Sequence, residues 1–186
     1  MSSLAEIIRS RRSIAAFTDQ PVPAALIQSL LEVAVYAPNH HLTEPWRFVL
    51  ITGEARQKYA DIMRQRALES SKSTVEAERQ MAGDGAYAKF MKIPAFLAVI
   101  MRVDSNPETA EEDLCATSAL IQNFLLLAWE QGLGTAWKTL KKDQRFRDLL
   151  GVNADEKVVG IIHIGYPAQI GEGKREPAAE RLTHLT

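Results

Sequence analysis

The sequence predicts an α+β fold, a small mixed sheet flanked by helices, with one long helix through the middle of the chain. Three observations lead there. Segments with helical spacing and short apolar runs succeed one another as helix, helix, strand, helix, strand, long helix, strand, helix, strand and tail, an order that suits helices layered on a sheet. The apolar runs at 47–52, 94–103, 135–140 and 158–164 have the length of strands, not of helices. The helix over about 108–131 is apolar nearly all round in its second half (Leu120, Ile121, Phe124, Leu125, Leu126, Leu127, Ala128, Trp129). A chain of 186 residues builds one sizeable core, which hardly encloses such a helix. A subunit interface does, so one domain over 1–186 and a homodimer are expected.

Each element has a local signal. Ser3 and Glu6 form the S-x-x-E capping pattern, and Leu4, Ile7 and Ile8 then share a helical face. The helix is expected to end near Arg11-Arg12-Ser13, with an irregular stretch from Phe17 to Val22. Pro23 suits the first turn of a second helix, striped by Ile27, Leu30, Leu31 and Ala34. It stops before Pro38, because the residue preceding a proline is pushed out of helical geometry. A proline-bounded loop, Asn39 to Pro45, leads into the first strand. Residues 54 to about 82 are charged and helical, and Gly83-Asp84-Gly85 reads as a break. The second strand is centred on Ala95 to Ile100. Asn106 caps the long helix, with Pro107 at its first position. Gly132 and Gly134 end it. After the third strand, Asp143 caps a short helix closed by Gly151, and the last strand follows.

Composition excludes several classes. The chain is 46% hydrophobic and 24% charged, which is ordinary for a globular protein. A net charge of −1 gives no basis for nucleic-acid or anionic-membrane binding. No apolar run approaches the ~20 residues of a membrane span, and the N-terminal arginines follow the apolar stretch where a signal peptide has them first. The one cysteine, Cys115, makes no intrachain disulfide, and a cytoplasmic location is expected. On its apolar helix it reads as a small buried hydrophobe. Cysteine-based zinc sites are excluded, and no metal is expected from four unevenly spaced histidines. There is no P-loop, nucleophile elbow or zinc signature.

Several residues carry candidate chemistry. Arg11, Arg12 and Ser13 offer two guanidinium forks and a hydroxyl, a set that suits a phosphate; basic side chains also simply complement a helix C-terminus. Lys174 and Arg175 form a second basic pair, open to the same two readings. The Asn39-His40-His41 loop is rich in hydrogen-bonding groups, as ligand-contact loops are. Trp46 reads as packing. In Trp137-Lys138-Thr139, strand alternation turns Trp137 and Thr139 to one face and Lys138 to the other. Gly132-x-Gly134 follows a helix, so it is no dinucleotide fingerprint.

In their order, these pieces resemble the FMN-dependent nitroreductase family. Its R-R-S-x-R motif is matched by Arg11-Arg12-Ser13-Ile14-Ala15, its A-P turn and Q-P-W-x-F segment by Ala37-Pro38 and Glu44-Pro45-Trp46-Arg47-Phe48. Its G-x-G-T-x-W segment is matched by Gly132 to Trp137, and its G-Y-P and R-x-P endings by Gly165-Tyr166-Pro167 and Arg175-Glu176-Pro177. The likeness spans the chain except about 54–92. It is similar above all to the compact bacterial, YdjA-like branch.

The resemblance implies a homodimer with two FMN molecules between the subunits, and NADH or NADPH as electron donor. Arg11, Arg12, Ser13 and Arg175 then hold the phosphate and ribityl end. Tyr36 and His40 contact the flavin from the other subunit, and Trp137, Lys138 and Thr139 line its ring. Residues 127–132 match a stretch linked with nicotinamide dinucleotide binding. The implied activity passes hydride through the flavin to a nitroaromatic, quinone or similar small acceptor in a ping-pong cycle, with no obligatory catalytic side chain. A flavin-binding sensor or storage dimer, or another flavin reaction such as dehydrogenation, are the alternatives. Two departures stand out. The last motif arginine is Ala15, and Lys138 is the candidate replacement for its charge beside the reduced ring; the glutamine of Q-P-W is Glu44.

Overall fold

The computed structural model describes residues 3–140 and 143–185. Six α-helices and four strands lie within them. Helix α1 (Leu4–Ser10) carries the complete capping box: the Glu6 amide donates to Ser3 Oγ at 3.3 Å and the Ser3 amide to Glu6 Oε2 at 2.7 Å. Of its apolar face only Ile7 is buried, while Leu4 and Ile8 stay exposed. Helix α2 (Ala24–Ala34) starts after Pro23 and buries Ile27, Leu30 and Ala34. Strand β1 (Trp46–Ile51) follows.

The charged middle of the chain forms two helices, α3 (Ala55–Ser70) and α4 (Glu76–Met91), where one had been expected. The break falls at 71–75, and Gly83-Asp84-Gly85 lies inside α4. The physical reason is packing between the two helices. A Cβ at Gly83 would stand 2.9 Å from the Leu68 side chain, so the glycine lets α4 approach α3 and does not end the helix.

Strand β2 (Ala95–Arg102) leads through Asn106, which caps with its side chain, to helix α5 (Pro107–Glu130). Then come β3 (Gly134–Lys138), α6 (Gln144–Leu150) and β4 (Glu156–Gly165). Gly151 closes α6 at φ 57° and ψ 48°, a left-handed conformation that glycine adopts without a Cβ penalty. The sheet order is β1-β2-β4-β3 and the four strands pair antiparallel. Parallel pairing enters at the β3 edge, where Ser13 bridges to Thr135.

The two faces of the sheet carry separate cores. Leu97, Val99, Ile162 and Ile164 pack under α2 and α5. Phe96, Ala98, Ile100 and Ile161 pack with Tyr59 of α3 and Phe146 of α6. One chain already buries Leu120, Ile121, Phe124, Leu125 and Ala128 of α5, leaving Leu126, Leu127 and Trp129 partly open. Cys115 is exposed, against expectation, because it sits on the outward side of the polar first half of α5. No helix among the described residues is long and apolar enough to cross a membrane.

Candidate functional site

The basic segment after α1 is tied to the sheet. The chain leaves helical geometry at Arg11 (φ −56°, ψ 132°), and the Ile14 amide donates to the Thr135 carbonyl at 2.9 Å. The C-terminal tail returns Arg175 and Gly173 to the same place. Burial lowers the Arg11 pKa, and the charges of Arg12 and Arg175 lower it further, so the three guanidinium groups lie within range of one another's charge. Gly173 packs directly against the Arg12 guanidinium, so that a Cβ there would push it aside. Arg12 Nη1 caps the Arg11 carbonyl at 2.9 Å, while its Nε is buried without a partner. None of the three arginines has an ion pair among the described residues. Converging like charges with an unpartnered N–H are costly alone and favourable around an anion.

Ile14 and Ala15, which follow the basic segment directly, open onto a cavity of about 300 Å³ on the α3–α6 side of the sheet. Ala15, Lys138 and Thr139 line one side, and Tyr59, Arg66, Lys89 and Phe90 the other. Lys138 and Thr139 thus share a pocket, contrary to the expected alternation, because β3 ends at Lys138 and Thr139 is free of its pleat. Trp137 does keep to the opposite face, where it lies against Gly160 with no space for a side chain there. At the base sits His163, 8% exposed and edge-on to Phe90 and Phe96. Burial, with Lys138 and Lys89 nearby, pulls its pKa down to about 4, so the ring is neutral at pH 7.

The other candidates lie apart from this pocket. Tyr36 is 87% exposed. His40 Nδ1 is 2.6 Å from Glu112 Oε2 of α5, an oriented but exposed pair. Its loop is held from below: the Asn39 amide donates to Thr43 at 2.9 Å, and the Thr43 hydroxyl to buried Asp113 at 2.5 Å. His41, Leu42 and Glu44 all have positive φ (55°, 52° and 41°), strain that this anchoring offsets. The loop and Cys115 line a separate cleft along α5. Within one chain, Tyr36 and His40 do not meet Lys138 and Thr139.

Reading the sequence missed Tyr59, Arg66, Lys89, Phe90 and His163. His163 had a signal, a lone histidine in the apolar run 158–164. The α3–α4 residues had none, since neither helix carries an apolar stripe that singles them out.

The match to known proteins agrees with this fold. The model of the nitroreductase family matches residues 8–166. The chain belongs to the nitroreductase family. A Bacillus subtilis (strain 168) protein with the provisional name NAD(P)H nitroreductase YfhC is 40% identical over 187 residues, covering 99% of this chain and 95% of the relative. The crystal structure of a nitroreductase-like family protein from Bacillus cereus superposes with TM-score 0.85 at 38% identity, over 100% of this chain and 97% of the other. The FMN and NADPH-dependent nitroreductase NfnB from a Sphigopyxis sp. (strain HMH) shares the fold, with TM-score 0.79 at 20% identity over the full length of both chains. As a family member, the chain carries the expected α+β architecture.

Proposed function

We propose that this nitroreductase-family chain is an FMN-dependent NAD(P)H oxidoreductase that works as a homodimer and reduces a small acceptor such as a nitroaromatic or quinone. The observation that carries the reading is that Arg11, Arg12 and Arg175 lie within range of one another's charge, on a segment that runs straight into the pocket lined by Ala15, Lys138 and Thr139. The residues fit the cofactor: converging guanidiniums and the unpartnered Arg12 Nε suit its phosphate, with Ser13 exposed beside them. Bound flavin supplies hydride transfer, and the protein supplies position and electrostatics.

Lys138 and Thr139 line the ring side of the site, and Trp137 stiffens β3 from behind. Lys138 brings a cation to the side of the pocket where Ala15 stands in place of the motif arginine, and a fixed positive charge there stabilises the reduced ring. Tyr36 and His40 act on the flavin of the partner subunit. Their separation from the pocket in one chain supports this, as do the exposed Leu4, Ile8 and Val33, apolar side chains that a partner subunit would cover. Donor and acceptor use one pocket in turn. Steady-state kinetics test the scheme: parallel double-reciprocal lines are expected, and intersecting lines would rule out the shared pocket.

A further inference from the structure

His163 of β4 stands in the sheet face beneath the flavin cavity, 8% exposed. Its ring makes no hydrogen bond among the described residues, and its open edge lines the cavity. The cross-strand partner is Ala136 of β3, whose methyl group leaves the imidazole uncovered. Lys138, two residues further along β3, pairs with Ile161, so Lys138 and His163 are diagonal neighbours on one sheet face. Phe90 of α4 and Phe96 of β2 meet the ring edge to face. A buried polar group that the protein itself leaves unsatisfied calls for a reason, and here it opens on a ligand cavity. The charged groups around it are all basic: Lys138 from β3, Lys89 from α4 and Arg66 from α3. Burial pushes the Tyr59 hydroxyl of α3 upward, so it stays neutral. No carboxylate lines the cavity among the described residues.

We propose that the His163 imidazole takes up a proton from solvent when the bound flavin is reduced, balancing the charge that hydride carries into the cavity. His163 acts in this way only with flavin present, so the assignment rests on the FMN-dependent oxidoreductase reading. One hydride, a proton with two electrons, moves from NAD(P)H, which becomes NAD(P)+, and adds one negative charge to the cavity. One proton from solvent adds one positive charge on His163, and it returns to solvent when the hydride leaves for the acceptor. Lysine, arginine and tyrosine side chains already hold their protons at pH 7, so among the described groups lining the cavity only His163 has one to gain. With no anion present, burial and then Lys138 and Lys89 hold its pKa at about 4. An opposite charge within about 4–6 Å acts in the other direction, by about 1–3 pH units.

The test is an NMR titration of the His163 ring in FMN-loaded protein with labelled histidine, oxidised and then reduced anaerobically with dithionite. The chain has four histidines, and His163 is the signal missing from His163→Gln. In the oxidised protein its midpoint is expected near pH 4, and reduction raises it by about 1–3 units. The flavin midpoint potential gives a second readout. Between the two titration midpoints, the potential of the unaltered protein falls with pH about 30 mV per unit more steeply than that of His163→Gln, the equivalent of one proton per two electrons. A His163 midpoint that reduction leaves in place overturns the proposal, as do equal slopes in the two proteins. The ring titration is read on the unaltered protein and decides even where the variant folds poorly, the signal then being assigned through its backbone. Dithionite supplies electrons without a nicotinamide, so the two readings fail separately. A bound flavin that NAD(P)H leaves oxidised defeats the oxidoreductase reading, while the titration of His163 still decides the proton uptake.

Discussion

Replacing Arg11 by methionine removes one of three converging guanidiniums and keeps an aliphatic stem in its partly buried position. Two opposite effects follow. In the FMN complex, a charge-assisted contact to the phosphate is lost, worth about 1.5–3 kcal/mol, which is about a ten- to 150-fold rise in Kd. In the flavin-free protein the sign reverses. The folded-state pKa of Arg11 lies below its ordinary value through burial and repulsion from Arg12 and Arg175, so the fold disfavours the charged form and the arginine costs stability without an anion. Arg11→Met therefore binds FMN more weakly while its flavin-free Tm stays level or rises. Fluorescence titration of FMN and thermal melts of the flavin-free protein read the two effects independently. Unchanged FMN affinity would move the phosphate site elsewhere. A flavin-free Tm that fell by several degrees would refute the electrostatic argument and make Arg11 a packing residue.

Three further outcomes are expected. Lys138→Met lowers the flavin midpoint potential by tens of millivolts, about 30 mV for each 1.4 kcal/mol of lost charge stabilisation in a two-electron couple; an unchanged potential in a spectroelectrochemical titration removes Lys138 as the replacement for the missing arginine. Arg47 bonds both carboxylate oxygens of Glu156 at 2.7 Å and, with the Asn153 amide at 2.8 Å, holds its pKa down from 4.5 to about 2. A depressed carboxylate pKa gives stability that is present above the ordinary value and lost as pH falls, so Glu156→Gln destabilises at pH 7 by about 1–2 kcal/mol and its difference from the unaltered protein fades between pH 4.5 and 2 in denaturant melts; a constant difference would contradict this. Gly160→Ala forces Trp137 off β4, costing about 1–3 kcal/mol through overpacking with a shift in tryptophan emission; a stable variant with unchanged emission would show that Trp137 has room to move.

What the sequence made legible was local. The Ser3–Glu6 capping box, Asn106-Pro107, Asp143 and Gly151 are signals whose cause lies within one turn of the residue, and each marks its helix end in the structure. The illegible parts depend on contacts distant in the chain. Gly83 looks like a breaker until Leu68 is seen against it. Arg175 is one basic residue in a polar tail until the fold returns it to Arg11. Alternation failed at Thr139 because the strand end, set by pairing with β4, comes one residue earlier. The cavity wall on α3 and α4 was invisible for the same reason: Tyr59, Arg66, Lys89 and Phe90 meet Lys138 and Thr139 only in the folded chain. The family motifs pointed to the β3 side of the cavity and were silent on its α3–α4 side.

The most direct measurement is a visible absorption spectrum of the purified protein, reconstituted with FMN where needed, before and after anaerobic NADH or NADPH. The account predicts a yellow chromophore that bleaches with at least one of the two nucleotides. A protein that holds no FMN, or a bound flavin that neither nucleotide reduces, would contradict it.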